Sequence, residues 1–174
     1  MKWILIAVGV IAGLIALMAV IGALMPKGHK AARSTVINKP PEVLWQAMTD
    51  CAEFPQWRAD IKTVEVLPDR DGRKVWREDG KNGKMTLETI EATPPSRLVL
   101  KIADPDLPFG GTWTYELRAT NAGSRVTITE DGEVYNPIFR FIGRVLFSPA
   151  DTIEAYLKAL GKKYGEDVQL SEPV

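Results

Sequence analysis

The sequence has little of the chemistry on which most enzyme sites depend. Histidine and cysteine each occur once in 174 residues, as His29 and Cys51. His29 stands in a basic stretch beside Lys30, ahead of the main domain, which leaves no Ser-His-Asp triad and no histidine-based metal site there. A single cysteine excludes an internal disulfide, and the glycine-rich patterns that bind phosphates are missing. We therefore expect no metal and no cofactor.

An excess of charge of one sign is also missing. The chain has 22 basic and 22 acidic residues, and the four basic ones before Ser34 leave 18 against 22 in the rest, a net charge of −4. Proteins that bind nucleic acids concentrate positive charge to neutralise phosphates. The composition therefore predicts no nucleic-acid partner.

One apolar run dominates the sequence. Residues 3–25 contain no charge and no proline. A helix of this length measures about 34 Å, which is enough to cross a hydrocarbon core of about 30 Å. A signal peptide is the alternative, but its apolar core usually has about 7–15 residues and ends at a small-residue cleavage site. We predict a membrane anchor over residues 1–28.

The flanks of this helix indicate its orientation. Lys27, Lys30 and Arg33 follow it, whereas only Lys2 precedes it. The positive-inside rule then places the following domain on the cytoplasmic side of a single-pass membrane protein. Gly9 and Gly13 have the spacing that lets two membrane helices approach, so a weak dimer through these glycines is a further possibility.

Residues 34–174 carry the pattern of one mixed α and β domain. Strand-like segments cover 34–38, 62–67, 74–79, 84–92, 97–103, 112–120 and 125–134, and turn sequences such as Asp71-Gly72 separate them. Helical patterns cover 42–49, 51–57, 137–147 and 151–165. The last of these places Ile153, Tyr156, Leu157, Leu160 and Tyr164 along one face.

Several local sequences resemble one superfamily. They are INKPPEVLW (37–45), DCAEFPQW (50–57), GTWTYEL (111–117), TITEDGEV (127–134) and NPIFRF (136–141). Together they resemble the START-like helix-grip (SRPBCC) superfamily, in particular its polyketide cyclase/dehydrase and lipid transport branch. The resemblance covers residues 33–168 and leaves 169–174 as a flexible tail. It implies an α+β helix-grip fold in which a curved antiparallel sheet of about seven strands surrounds a long C-terminal helix.

The resemblance further implies a hydrophobic ligand between the concave sheet and that helix. Alternation along the strands then assigns the residues that face the ligand. The same alternation is typical of an ordinary packed core, so both interpretations stay open. The predicted ligand-binding residues are Arg77, Leu87, Leu100, Trp113, Tyr115, Ile128, Glu130, Phe141, Val145, Ile153 and Leu157.

Glu130 is the most informative of these residues. Unbroken alternation places its carboxylate inside, beside Trp113 and Tyr115, and Arg77 is its predicted partner. A local bulge would instead turn Glu130 outward. Trp76 alternates with charged neighbours and is expected on the polar face of its strand.

Three functions are consistent with these features. The first is a membrane-anchored module that binds or transports a lipid, an isoprenoid or a polyketide-like molecule. The second is a cyclase or dehydratase that acts on such a molecule, although the residues predict no catalytic set. The third is a membrane-bound interaction protein whose own tryptophans fill the cavity.

Overall fold

The computed structural model describes residues 1–81 and 83–173, in which five α-helices, one short 3-10 turn and seven β-strands follow one another. Apart from β1, each element of the domain lies within about three residues of its predicted position. The helices are α1 (Lys2–Leu24), α2 (Pro41–Thr49), α3 (Phe54–Trp57), α4 (Pro137–Leu146) and α5 (Asp151–Lys163), with the 3-10 turn at Cys51–Glu53. The strands are β1 (Gly28–Ile37), β2 (Ile61–Arg70), β3 (Arg73–Gly80), β4 (Gly83–Thr93), β5 (Arg97–Ile102), β6 (Phe109–Thr120) and β7 (Gly123–Val134).

The strands form one antiparallel sheet in the order β1-β7-β6-β5-β4-β3-β2. Strands β2 to β7 are joined in sequence as a meander, and β1 completes the sheet beside β7. At the β2–β3 turn, Asp71 and Gly72 both adopt positive φ angles, of 49° and 75°. These angles suit a two-residue hairpin and are accessible to aspartate and glycine. The helix-grip architecture predicted from the sequence is confirmed.

Helix α5 packs across the concave side of the sheet. Ile153, Leu157 and Leu160 are fully buried, and Tyr156 is 5% exposed. Their spacing of three and four residues places them on one stripe, as predicted. This stripe and the inward side chains of the strands form the core of the domain.

The first strand starts earlier than the sequence predicted. β1 begins at Gly28 rather than Ser34, so only Met25, Pro26 and Lys27 separate it from α1. The Val134 backbone N–H donates to the Lys27 carbonyl at 3.0 Å. The basic stretch that was expected to flank a membrane helix therefore belongs largely to the sheet, and the domain is joined to α1 without a flexible linker.

Two arginines of α4 bind the end of α1 and the residues that follow it. Arg140, only 4% exposed, donates through Nη1 to the carbonyls of Gly22 at 2.9 Å and Met25 at 3.1 Å. Arg144 donates to the carbonyls of Pro26 and Gly28. The last carbonyls of a helix have no partners within the helix, and they carry the negative end of its dipole. The arginines satisfy these groups and fix α1 against α4.

Gly22 allows the close contact between α1 and α4. A Cβ atom at Gly22 would overlap the Pro137 carbonyl oxygen of α4. We expect Gly22→Ala to weaken the α1–α4 contact by about 1–3 kcal/mol, the usual range for overpacking. Gly9→Ala is the matched control, because nothing lies within 4 Å of the corresponding Cβ position. Hydrogen exchange of the α4 amides in a membrane mimetic measures the effect, and equal exchange in the two variants would contradict the prediction.

The C-terminal residues are not a free tail. Ser34 and Ser171 exchange two backbone hydrogen bonds, of 2.8 and 2.9 Å. The Thr35 hydroxyl donates to the Gln169 carbonyl at 2.8 Å, and Val168 is 8% exposed. This short segment covers the outer edge of β1, which would otherwise present unpaired backbone groups. Val174, the last residue of the predicted tail, lies outside the described residues.

The glycines of the predicted dimer contact lie on an uncovered part of α1. Nothing lies within 4 Å of a Cβ atom built at Gly9 or Gly13. Space for a second helix is therefore present at both positions, and the dimer stays a prediction.

Candidate functional site

Most of the predicted ligand-binding residues do lie in the interior of the grip. They come from strands β4 to β7 and from α5, and they belong to or pack against one core cluster. Their position is as predicted, while a role in binding stays a prediction. These residues are Leu87, Leu100, Trp113, Tyr115, Ile128, Ile153 and Leu157.

Arg77 is an exception, and its predicted pairing with Glu130 is wrong. Arg77 lies on the outer face of the sheet with its side chain 42% exposed. Its guanidinium donates to Glu65 Oε2 at 3.4 Å and to Thr86 Oγ1 at 3.4 Å.

The error came from the phase of alternation in β3. Val75 and Trp76 point to opposite faces of the sheet, yet they are only 1% and 5% exposed. Because both faces are buried here, the sequence pattern did not reveal which one is inside. Trp76 and Glu78 point inward, so the expectation that Trp76 lies on a polar face was also wrong.

The two predicted residues of α4 do not close a roof over the interior. Val145 is 58% exposed, and Phe141 is only partly buried. Helix α4 packs against α1 and contacts β7. Phe141 and Val145 therefore lie beside α1 and not above the core.

Glu130 is oriented inward and has three polar neighbours. Its Oε2 accepts from Trp113 Nε1 at 2.9 Å and from the Thr152 hydroxyl at 3.4 Å. Its Oε1 lies 3.0 Å from His29 Nε2. The sequence analysis placed His29 outside the domain, but β1 carries it to the register position opposite Gly132. Glu130 and His29 thus lie at the end of the sheet nearest to α1.

A second polar group lies deeper, around Arg58. This residue follows α3, and its guanidinium donates to Glu78 Oε1 at 3.1 Å and to Asp60 Oδ2 at 2.8 Å. It also lies 5.2 Å from the ring centre of Phe54 and 5.3 Å from that of Tyr156. A planar guanidinium combines well with carboxylates at its edge and aromatic rings on its faces.

Glu78 is almost completely buried beneath this arginine. Its side chain is 3% exposed, and Oε1 also accepts from the Trp76 indole N–H at 3.1 Å. Burial lowers the pKa of Arg58, but the adjacent carboxylates of Glu78 and Asp60 outweigh this and raise it. The guanidinium therefore remains charged inside the domain.

Two buried donors in this region have no acceptor. Trp57 Nε1 and Arg58 Nε are both inaccessible to water and lack a hydrogen-bond partner among residues 1–81 and 83–173. Leaving a buried donor unpaired costs about 1–3 kcal/mol, so such groups are rare in native proteins. Both residues pack against Tyr156, which places the two donors in one neighbourhood.

Aromatic rings connect the two polar groups. Tyr156 contacts Trp57 and Tyr115 at ring-centre distances of 5.5 Å, and Trp113 at 6.2 Å. These separations and tilted planes are favourable for aromatic pairs. Burial raises the pKa of Tyr115 and of Tyr156, so both hydroxyls stay protonated at neutral pH. A continuous row of aromatic rings in the interior therefore connects Arg58 with Glu130.

An open cleft lies at the edge of the sheet opposite β1. It has a volume of about 450 Å³ and separates α2 and the 3-10 turn from the β2–β3 hairpin. Trp76 forms part of its wall and also contacts Phe54 of the aromatic interior. None of the predicted ligand-binding residues lines it. The lining residues are Gln46, Thr49, Asp50, Cys51, Ala52, Val66, Asp69, Lys74, Val75 and Trp76.

Sequence comparison identifies the family of this domain. The model of the family described as polyketide cyclase/dehydrase and lipid transport matches residues 28–162. The chain belongs to this family. The match begins at the first residue of β1 and ends inside α5, so it covers the sheet and the helices that pack on it. Proteins of this fold family bind hydrophobic small molecules. No curated protein matches the chain in sequence.

Solved structures of the same fold belong to proteins with different roles. A START superfamily protein from Mycobacterium smegmatis is 18% identical with a TM-score of 0.62, over 78% of this chain and 96% of that chain. An aromatase/cyclase from a Streptomyces species is 12% identical with a TM-score of 0.62, over 78% and 93% of the two chains. A norcoclaurine synthase mutant from Thalictrum is 10% identical with a TM-score of 0.62, over 80% and 96%. At these identities the likeness shows a common fold alone.

Proposed function

We propose that this family member is a membrane-anchored module that binds a hydrophobic small molecule carrying an oxygen acceptor. The observation that carries the proposal is the pair of unpaired buried donors, Trp57 Nε1 and Arg58 Nε. A ketone or phenol oxygen placed between them would accept both hydrogen bonds. The surrounding rings would contact the apolar body of the ligand.

The charge of Arg58 adds selectivity to this arrangement. Its guanidinium is already bound by two carboxylates, so the local charge is compensated before a ligand arrives. A neutral or weakly acidic oxygen is therefore favoured over a fully charged group such as a phosphate. Lipids with charged headgroups are poorer candidates than isoprenoid quinones or polyketide-like aromatics.

A membrane anchor suits a ligand of this kind. Helix α1 is long and apolar enough to span a bilayer, and a signal sequence would pass the same test. Retention of α1 is favoured by Arg140, which would lose its hydrogen bonds to Gly22 and Met25 if the segment were removed. A ligand dissolved in the bilayer would then reach the domain at the end marked by Glu130 and His29. The basic residues Lys27 and Lys30 favour the cytoplasmic side.

A second candidate function is that of an interaction protein with a filled interior. The direct ring contacts of Tyr156 with Trp57, Tyr115 and Trp113 favour it, because side chains occupy much of the space under α5. A ligand would have to displace rings or enter from the cleft beside Trp76. The enzymatic alternative lost its main support when Arg77 proved to lie on the outer face.

The direct test uses the full chain, extracted from membranes in polymer-bounded lipid discs. Organic extraction followed by mass spectrometry would identify small molecules that are enriched relative to empty discs. A discrete polyaromatic or quinone mass would support the proposal. A clean result, together with no binding of a hydroxyanthraquinone probe, would assign the chain to the second candidate function.

A matched pair of variants tests the donors themselves. We expect Trp57→Phe to weaken binding of the hydroxyanthraquinone probe by about tenfold, the equivalent of one hydrogen bond of about 1.4 kcal/mol. The free protein should lose no hydrogen bond, because this N–H had no partner. Trp45→Phe, in a tryptophan that packs against the core from α2, should change the dissociation constant less than about twofold. Equal affinities of the two variants, measured by absorbance titration, would contradict the proposed site.

A further inference from the structure

Helix α4 and the residues beside it form an apolar surface that no other part of residues 1–81 and 83–173 covers. Outside residues 1–24, seven large hydrophobic side chains of the described residues are exposed, and five of them lie between positions 135 and 147. Such a concentration marks an interaction surface rather than random exposure. The five are Tyr135, Phe139, Val145, Leu146 and Phe147, between 47% and 68% exposed.

The polar residues of α4 explain how this surface is oriented. Arg140 and Arg144 are one helical turn apart; Arg140 binds the Gly22 carbonyl of α1, and Arg144 binds the Gly28 carbonyl just after it. Asn136 caps the first turn, where its Oδ1 accepts from the backbone N–H groups of Ile138 and Phe139. The arginines therefore hold one side of α4, and most of the apolar side chains remain on the rest of its surface.

The contact with α1 also sets the depth of α4 relative to a bilayer that α1 spans. Helix α1 has 23 residues, so it is about 34 Å long and slightly exceeds a hydrocarbon core of about 30 Å. Its last turn, at Gly22, touches the first residue of α4, Pro137. If α1 spans a bilayer, α4 begins where the hydrocarbon gives way to the headgroups.

We propose that α4 and Phe147 form a second membrane contact, an interfacial helix that lies in the headgroup region beside α1. This proposal rests on the membrane anchor of the proposed function. Helices of this kind bury their apolar face about 5–10 Å deep at the headgroup boundary. Phe139, Leu146 and Phe147 are the side chains that enter the lipid.

Lipid is favoured over a protein as the occupant of this surface. Only three residues connect α1 to β1, and the Lys27 carbonyl is itself bound by Val134. The domain therefore cannot move α4 away from the bilayer while α1 spans it. A protein partner would have to displace lipid from a surface that is permanently held at the interface.

This attachment at two points would orient the domain. Glu130 and His29 lie at the end of the sheet that follows α1, so that end of the interior would face the headgroups. The cleft beside Trp76 lies at the opposite edge of the sheet, next to β2 and β3 and away from β1.

Fluorescence quenching by lipids brominated on their acyl chains tests this inference with the full chain in vesicles. Trp3 lies in α1, and the other tryptophans lie in the domain. Trp3→Phe provides a background in which α1 carries no tryptophan. In that background, Phe147→Trp adds the fluorescence of one tryptophan. We expect about half of this added fluorescence to be quenched, because a side chain buried about 5–10 Å deep at the headgroup boundary lies close to the brominated acyl chains. Val66→Trp is the matched control, because Val66 is 67% exposed but lies on β2, at the far edge of the sheet from β1.

The outcomes separate this inference from the anchor itself. Quenching of Trp3 in the unmodified chain reports the anchor, and quenching of the tryptophan added at position 147 reports α4. Quenching of Trp3 alone would leave the anchor in place and overturn the interfacial helix. Absence of both signals would overturn the anchor and the interfacial helix together. An unquenched signal from position 147 that shifts to shorter wavelength with protein concentration would assign the surface to a second copy of the chain and also overturn the inference.

Discussion

Replacement of Glu78 by glutamine should destabilise the domain by about 3 kcal/mol, at the lower end of the cost of breaking a buried ion pair. Glu78 is 3% exposed, and one of its oxygens accepts from both Arg58 and Trp76. The variant keeps the size of the side chain but leaves the Arg58 guanidinium with only Asp60, which is 41% exposed. Denaturant unfolding in a membrane mimetic, followed by tryptophan fluorescence, measures the change.

A matched control lies on the neighbouring strand. Glu65 also pairs with an arginine, Arg77, but the two side chains are 65% and 42% exposed. Exposed ion pairs contribute little, so Glu65→Gln should change the free energy of unfolding by less than about 0.5 kcal/mol. The double variant Arg58→Met/Glu78→Leu should recover most of the loss, because it removes both charges together. If Glu78→Gln were as mild as Glu65→Gln, Arg58 would not be a buried cation that depends on its partner.

The sequence predicted the parts of the site that depend on regular alternation. Glu130 lies opposite Trp113 and Ile128 lies opposite Tyr115 in the β6–β7 ladder, so a period of two was enough to place all four inside. The same rule failed in β3, where Val75 and Trp76 are both buried and the apolar side was ambiguous. Alternation is informative only where one face of a strand is exposed to solvent.

Strand alternation does not predict contacts between segments that are distant in sequence. His29 and Glu130 are 101 residues apart, and their contact depends on the extension of β1 back to Gly28. Arg58 reaches Glu78 only because the short helix α3 packs under α5. The sequence predicted a helix over 51–57, and the arginine directly after it was a usable signal. A basic residue at the end of a buried aromatic helix requires a buried acidic partner.

One polar neighbour of Glu130, His29, lies close to the end of α1. His29 follows the end of α1 by only five residues, so the Glu130 carboxylate lies at the end of the domain where α1 is attached. Any change in the angle between α1 and the sheet would move β1, and with it the His29 side chain. The contact between α1 and α4, which we call the joint, therefore affects the geometry of the candidate site as well as the attachment of the domain to α1.

Replacement of Arg140 by methionine should loosen this joint. Arg140 is 4% exposed and donates to four backbone carbonyls, those of Gly22, Met25, Val134 and Tyr135, at 2.9–3.1 Å. Methionine fills a similar volume but offers no donor, so these carbonyls lose their hydrogen bonds to the guanidinium. Hydrogen bonds from charged donors contribute about 1.5–3 kcal/mol each and do not add independently, so we expect a loss of about 3 kcal/mol in the contact between α1 and the domain.

Trypsin cleavage after Lys27, the residue that precedes β1, measures this loss directly. Cleavage of a transiently open segment follows its population, so a loss of about 3 kcal/mol should raise the rate about a hundredfold. Arg118→Met is the control, because that arginine is exposed on β6 and its loss also removes one tryptic site. An unchanged rate at Lys27 in Arg140→Met would mean that apolar contacts of α4 hold the joint without the arginine. The buried guanidinium would then contribute nothing to the position of the domain relative to α1.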